Sequence, residues 1–160
     1  MIIRSIGGML VLASAFALGL TWYAEHILEY VPCELCLLER MPWRILLVLG
    51  VLALLIPGRI GFWSAVLSIP VLVIDIGLAI LHGGVEHKWW QSPLPSCHAP
   101  RFHGGSFRER LLSMPMRPAK PCDDATYLFH LPISMSVLGG LFAFVLLVLI
   151  SYGIWRERRS

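Results

Sequence analysis

The sequence predicts an all-α membrane protein, a four-transmembrane-helix bundle with a long loop between helices 3 and 4. Three observations predict it. Of 160 residues, 57% are hydrophobic and only 14% charged, where an ordinary soluble domain carries about 25% charged residues. The apolar residues gather into four runs, and a span needs roughly 20 of them to cross the hydrocarbon core. One connection alone is long, and it holds more than half of the eleven prolines.

The elements follow in order. Residues 6–24 form the first span, interrupted only by Ser14 and Thr21. Arg4 and the small residues Ala13, Ser14, Ala15 and Ala17 also suit a signal peptide. Cleavage there would leave a very short apolar stretch, however, and the run continues to Leu20 and Trp22, so a retained span is expected. A loop over about 25–40 carries Cys33 and Cys36. The second span, about 41–57, has a continuous apolar part only from Ile45 to Ile56; Arg44, Pro42 and Arg40 precede it. The Pro57-Gly58-Arg59-Ile60-Gly61 stretch reads as a tight turn. A third span over 62–82 stops at His82-Gly83-Gly84, read as a glycine stop. The loop of about 83–131 carries Cys97 and Cys122, and loops of this length are functional or disordered. Within it, residues 106–112 suit an amphipathic turn on the bilayer surface or a solvated one. Pro132 opens the fourth span, 132–152, with Trp155 as an interface anchor. The whole chain, 1–160, thus reads as a single integral membrane domain. The net charge of +3 is scattered, with no basic stripe that would suit nucleic acid.

With four spans, both termini and the 57–61 turn share one side of the membrane, and both cysteine-bearing loops share the other. Charge bias alone does not orient the chain: Arg4, Arg59, Arg156, Arg158 and Arg159 stand on the terminal side, and more cations lie along the cysteine loops. Four cysteines in one compartment fit an oxidising one, so the termini are expected in the cytoplasm.

A Cys-x-x-Cys pair closes too small a ring to serve chain-entropy stabilisation. Its uses are redox exchange or metal binding. Cys97 and Cys122, if bridged, would stabilise the loop by about 3.5 kcal/mol on the entropy model, so a structural disulfide is one reading of that pair. Zinc on all four, with His87 or His98 as spare ligands, is another, but Cys97 and Cys122 lack knuckle spacing, and the expected metal is none. Haem attachment needs a His after Cys36, where Leu37 stands.

Arg40 is the second unusual feature, because an Arg within a span is costly and marks function by default. On a helix, Cys36 and Arg40 are four apart and share a face, and Arg44 extends it by a turn. The guanidinium suits a thiolate at Cys36 or a developing oxyanion on a membrane-dissolved acceptor. Snorkelling to headgroups suits Arg44 better. Pro42 either kinks this helix or marks its first turn; in the second case the cysteines precede a helix N-terminus, which favours thiolate. Asp75, mid-way along the third span, should be paired, hydrated or protonated there, for instance neutral and donating to a backbone carbonyl or a serine.

Four spans, Cys33-Glu34-Leu35-Cys36 followed by Glu39-Arg40, and a later Cys pair in a long loop resemble the DsbB family of bacterial inner-membrane thiol:quinone oxidoreductases. The resemblance covers essentially the whole chain, and GVEHKWWQ (ending at Gln91) and PCDD (Pro121 to Asp124) belong to it. Tyr127, where a Trp is expected, the FHLPISMS entry to the fourth span, and Asp75 depart from the family pattern. The resemblance implies that a periplasmic DsbA-type thioredoxin-fold protein attacks Cys97 of a Cys97–Cys122 disulfide. It further implies that Cys122 exchanges with Cys33, and that Cys36 passes electrons to a quinone, ubiquinone or menaquinone. Arg40, His87 and Glu39 are then candidate quinone-site residues, although Glu39 also suits a pairing with Arg40 or Arg44. Trp89 and Trp90 read first as interface anchors and only then as walls of that site.

Three rivals stand beside this reading. A vitamin K epoxide reductase type enzyme would carry its Cys-x-x-Cys late in the chain, beside later spans. A paralogue dedicated to one partner would look much the same. A tetraspan scaffold with a structural loop disulfide would leave Cys33, Cys36 and Arg40 without a task.

Overall fold

The computed structural model describes residues 2–97, 108, 120–127 and 132–159. Among the described residues there are four α-helices and no β-strand: α1 (Ile2–His26), α2 (Glu34–Leu55), α3 (Arg59–Glu86) and α4 (Met135–Arg159), with a short 3-10 turn at Pro95–Cys97. α1, α3 and α4 are long and apolar enough to cross a membrane. The amphipathic turn expected at 106–112 falls almost wholly outside the described residues, as does His98.

The helices pack in chain order, α1 on α2, α2 on α3 and α3 on α4, and the α1–α4 seam that closes the bundle is looser. Ile6, Leu10, Trp43, Leu46, Leu72, Leu146 and Ile150 fill the interior. Large apolar side chains also cover the outside along the middle of every helix: Leu12, Phe16, Val48, Ile74, Val145 and Val148 are all more than half exposed. A bundle apolar on both faces suits hydrocarbon rather than water. Small residues let the backbones approach. A Cβ on Gly7 would collide with the α2 backbone at Gly50, Ala53 and Leu54, the close small-residue contact that drives helix association in lipid.

Several boundaries differ from the sequence expectation. α2 begins at Glu34, not near 41, so Cys36, Glu39 and Arg40 are helical rather than loop residues. Cys33 is its N-cap: its sulfur accepts the Cys36 N–H at 3.1 Å. Pro42 lies inside the helix and buried. It forfeits one backbone hydrogen bond without ending the helix, a defect that membrane helices tolerate. Pro70 does the same in α3. The 57–61 turn is tighter than expected. Gly58, at φ +83°, supplies the left-handed residue and α3 starts at Arg59.

The glycine stop at His82-Gly83-Gly84 is not a stop. α3 runs on to Glu86, and the left-handed residue is Lys88, at φ +60°. Lys88 N–H reaches the Val85 carbonyl and Trp89 N–H the Gly84 carbonyl, a Schellman-type ending four residues later than expected. The glycines serve packing instead. The Trp90 indole lies where a Gly84 Cβ would be, and its Nε1–H donates to the Leu81 carbonyl at 3.0 Å. At the far end Pro132 does not open α4. Ser134 does, its carbonyl accepting from Leu138 N–H and its hydroxyl from Val137 N–H.

Candidate redox and acceptor site

The four cysteines stand as two disulfides, Cys33–Cys36 and Cys97–Cys122, with Cα separations of 5.1 and 5.0 Å. They form one group. Cys33, Cys97 and Cys122 are buried together with Leu35 and Val85, and Cys36, Leu81 and Leu94 pack around them. The 3-10 turn delivers Cys97, whose carbonyl accepts the Cys122 N–H at 3.2 Å. The loop disulfide therefore sits against the Cys-x-x-Cys at the N-terminus of α2, where helix N–H groups favour negative sulfur.

Below the sulfurs lies a polar layer. His82 of α3 presents Nε2 at 3.4 Å from Cys33 Sγ and Nδ1 at 2.9 Å from Glu39 Oε1. Glu86, one turn along α3, approaches the same Nε2 at 3.7 Å and accepts from Ser136 of α4, which meets Ser134. Arg40 pairs with Glu25 of α1 at 2.6 Å, not with Glu39. Its Nε is buried and finds no partner among the described residues. Arg44 is exposed, and among the described residues its one side-chain hydrogen-bond partner is the Met41 sulfur.

A cavity of about 430 Å³ opens at the loose α1–α4 seam, and Cys36, Glu39, Arg40 and His82 form its polar end. Phe16, Trp43 and Phe142 supply aromatic wall. Trp43 and Phe142 are stacked with ring centroids 5.5 Å apart, and Phe16 meets Phe142 edge-on. The volume lies in the range of small-molecule sites, which are likewise apolar with a few placed polar groups. Cys36 is the only one of the four cysteines on its lining. The Cys33 and Cys36 sulfurs and a ring nitrogen of His82 lie within 4.8 Å of one another. That is compact enough for a metal, but both sulfurs are spent on their disulfide.

The six residues expected beside the cysteine chemistry from α2 and the loops, Cys33, Cys36, Cys97, Cys122, Glu39 and Arg40, are brought together. His87 is not. It is exposed, stacked on Trp89 at 5.3 Å, and absent from the cavity lining. Because α3 continues through Gly83 and Gly84, His82 and Glu86 share a face, while His87 points about 140° away from His82 at 100° per residue. Trp89 and Trp90 do not line the cavity either. The residue that sequence reasoning missed is His82. Its signal was present: an ionisable side chain at the end of an apolar run, four before Glu86 and seven after Asp75. Asp75 is 2% exposed. Among the described residues it has neither the serine nor the carbonyl partner expected for it, and it interacts electrostatically with Glu39 of α2.

Residues 3–153 match the family described as disulfide bond formation protein DsbB. An uncharacterised protein of Rickettsia prowazekii, RP370, is 31% identical over 78 residues, 49% of this chain and 45% of that protein. A disulfide bond formation protein B of Acinetobacter baumannii is 29% identical over 100 residues, 59% of this chain and 56% of that protein. The chain thus spans about half the length of the curated relatives it matches. No solved structure shows a significant match.

Proposed function

The chain belongs to the DsbB family, and from that premise we propose that it is a membrane thiol:quinone oxidoreductase which reoxidises a periplasmic dithiol oxidase of the DsbA type. The observation that carries the proposal is the packing of both disulfides into one buried cluster, with Cys36 alone facing the cavity. In this reading a partner thiolate attacks Cys97 Sγ and Cys122 leaves. Cys122 attacks Cys33 Sγ, its neighbour in the cluster, and Cys36 leaves as a thiolate into the cavity beside Arg40. Each exchange needs a thiolate attacker and a good leaving group. The helix N-terminus and the guanidinium favour Cys36 in the second role.

The cavity suits a quinone. A planar dicarbonyl ring fits aromatic walls, and the unspent Arg40 Nε–H suits a carbonyl oxygen. Arg40, with Phe16, Trp43 and Phe142, would hold it, since Glu39 is already paired with His82; ubiquinone and menaquinone are both of this class. When bound, the quinone supplies a two-electron, two-proton sink. With α2 read as a span beside α1, α3 and α4, both termini share one side, and the reading takes that side as the cytoplasm and the cysteine end as the periplasm of an inner-membrane protein.

The test mixes full-length protein in detergent with reduced partner and follows quinone absorbance. Cys36→Ser is expected to abolish quinone reduction while still allowing a mixed disulfide between Cys97 and the partner. Full turnover in Cys36→Ser would refute the electron path. Failure of any mixed disulfide to form at Cys97 would favour a purely structural loop disulfide.

A further inference from the structure

Cys33 is buried, yet a relay through it must repeatedly leave charge on its sulfur. Exchange with Cys122 makes it an electrophile, and resolution of that bridge makes it a leaving group. Nothing apolar in the cluster helps there. Among the described residues, the one polar atom aimed at Cys33 Sγ from another helix is His82 Nε2, at 3.4 Å. Its other nitrogen faces a carboxylate, Glu39 Oε1, at 2.9 Å. An ionised carboxylate only accepts, so Nδ1 carries the hydrogen and the neutral ring turns its Nε2 lone pair towards sulfur. Once protonated at Nε2, the ring finds a second carboxylate, Glu86, at 3.7 Å. Both protonation states thus have partners in place, the arrangement of a general acid–base group oriented by a carboxylate.

We infer that His82 is a catalytic acid–base residue for Cys33, with Glu39 as its positioning residue. The inference rests on the cysteine relay proposed above. In the resolving step the Cys97 thiolate attacks Cys122 Sγ in a Cys33–Cys122 bridge. The Cys97–Cys122 bond forms, the Cys33–Cys122 bond breaks, and the electron pair stays on Cys33 Sγ. His82, holding at Nε2 a proton released by the partner's thiols, gives it to that sulfur, leaving a thiol and a neutral imidazole, with no net oxidation. When Cys33 bonds again to Cys36, Nε2 takes that proton and passes it on, so that the ring is again neutral while the two electrons and two protons of that oxidation go to the quinone acceptor. Glu39 fixes the tautomer throughout. This assigns Glu39 to the imidazole rather than to a bound ring, and it gives a task to a histidine that the sequence offered only as a helix stop.

The charged and titratable groups around His82 are few. α2 contributes Cys33, Cys36 and Glu39, with Arg40 beside them already held by Glu25 of α1. α3 contributes Glu86; Asp75, seven residues before His82 on the same helix, interacts electrostatically with Glu39. Lys120 acts on the ring electrostatically and is paired with Asp124 at 3.3 Å. α4 contributes only the uncharged Ser136, bound to Glu86.

The experiment titrates Cys33 directly, so that acceptor chemistry does not enter. In full-length chain carrying Cys36→Ala, Cys97→Ala and Cys122→Ala, the ultraviolet absorbance of the thiolate is followed against pH. The reference is the same chain with Cys33→Ala. With His82 present the midpoint is expected at least one pH unit below that of His82→Gln, about tenfold more thiolate at neutral pH. Glu39→Gln should fall between them, with Glu39→Asp restoring part of the shift. Equal midpoints with and without His82 overturn the inference. If neither His82→Gln nor Glu39→Gln folds, the parent chain decides. A midpoint at or above the ordinary thiol value of about 8.5 overturns the inference, and one at least a unit lower supports it. A separate chain with Cys36→Ala and Cys97→Ala is oxidised and scored for a Cys33–Cys122 bridge. Absence of that bridge refutes the relay itself. Its presence with an unmoved Cys33 midpoint refutes only the acid–base assignment.

Discussion

One guanidinium, that of Arg40, carries both an ion pair and the proposed acceptor contact. Nη2 holds Glu25 at 2.6 Å, and the two side chains are 14% and 20% exposed. Nε is buried on the wall of the cavity, without a partner among the described residues. Arg40→Met removes both. Losing one member of a fully buried pair costs about 3–5 kcal/mol, and exposed pairs are worth about 0–1 kcal/mol. This partly screened pair stands between them, so a loss of about 2 kcal/mol is expected from the stranded Glu25. The acceptor loses a charge-assisted hydrogen bond, about 1.5–3 kcal/mol. At 1.4 kcal/mol per decade that is a fall of roughly 10- to 150-fold in apparent quinone affinity.

Glu25→Gln added to Arg40→Met distinguishes the two losses. It removes the stranded charge, so thermal stability in detergent should return to near that of the parent, while apparent quinone affinity stays low. The assay is quinone turnover against quinone concentration, with a melting curve for each variant. If the double variant regains affinity along with stability, Arg40 acts only through the fold and the acceptor role assigned to its Nε is wrong.

Other expectations can be checked alongside. Gly84→Ala drives a Cβ into the Trp90 indole and should cost about 1–3 kcal/mol with a change in tryptophan fluorescence. Gly83→Ala meets only a Val137 methyl at 3.2 Å, a few tenths of an ångström too close, and should be far milder; equal effects would mean that Trp90 is not packed there. Single cysteines at 33, 36, 97 and 122 should each label with a membrane-impermeant thiol reagent in reduced, intact spheroplasts. Labelling of Cys97 only after the inner membrane is broken would reverse the orientation. Asp75→Asn should leave quinone turnover within about twofold, because Asp75 is absent from the cavity lining and lies seven residues, about 10 Å of helix rise, from His82. A large loss with normal expression would place Asp75 on a proton route.

The helical class, the cysteine pairs and the Cys36–Arg40 face were legible because each is a local pattern: apolar runs, a three-residue spacing, a four-residue spacing. What was not legible depends on contacts between elements. The end of α3 was misread because Gly83-Gly84 is locally a stop. Only the Trp90 indole lying on Gly84, and Lys88 accepting the left-handed conformation, turn it into a packing site. That shift carried His82 inward and His87 out, so the histidine on the cavity lining is not the one singled out from the sequence. Glu39 was likewise read towards its chain neighbours Arg40 and Arg44, whereas its partner is 43 residues away.

α2 shows how composition would undercount a span if, as proposed, this helix crosses the membrane. Among the described helices it alone misses the length-and-composition standard for a span, because Glu34, Glu39, Arg40 and Arg44 crowd its first half. Hydropathy averages these charges as if all faced lipid. Arg40 is instead spent on Glu25 and Glu39 on His82, both inside the bundle. The outer face of α2 carries Leu37, Leu38, Met41, Ile45, Val48, Val51 and Leu55, all exposed. Their three- and four-residue spacing makes one apolar stripe along the helix. Its 22 residues give roughly 33 Å of helix, long enough for a hydrocarbon core of about 30 Å. A helix with this surface suits the proposed fourth crossing of the membrane, and the charges that disqualify it by composition are the ones that equip the site.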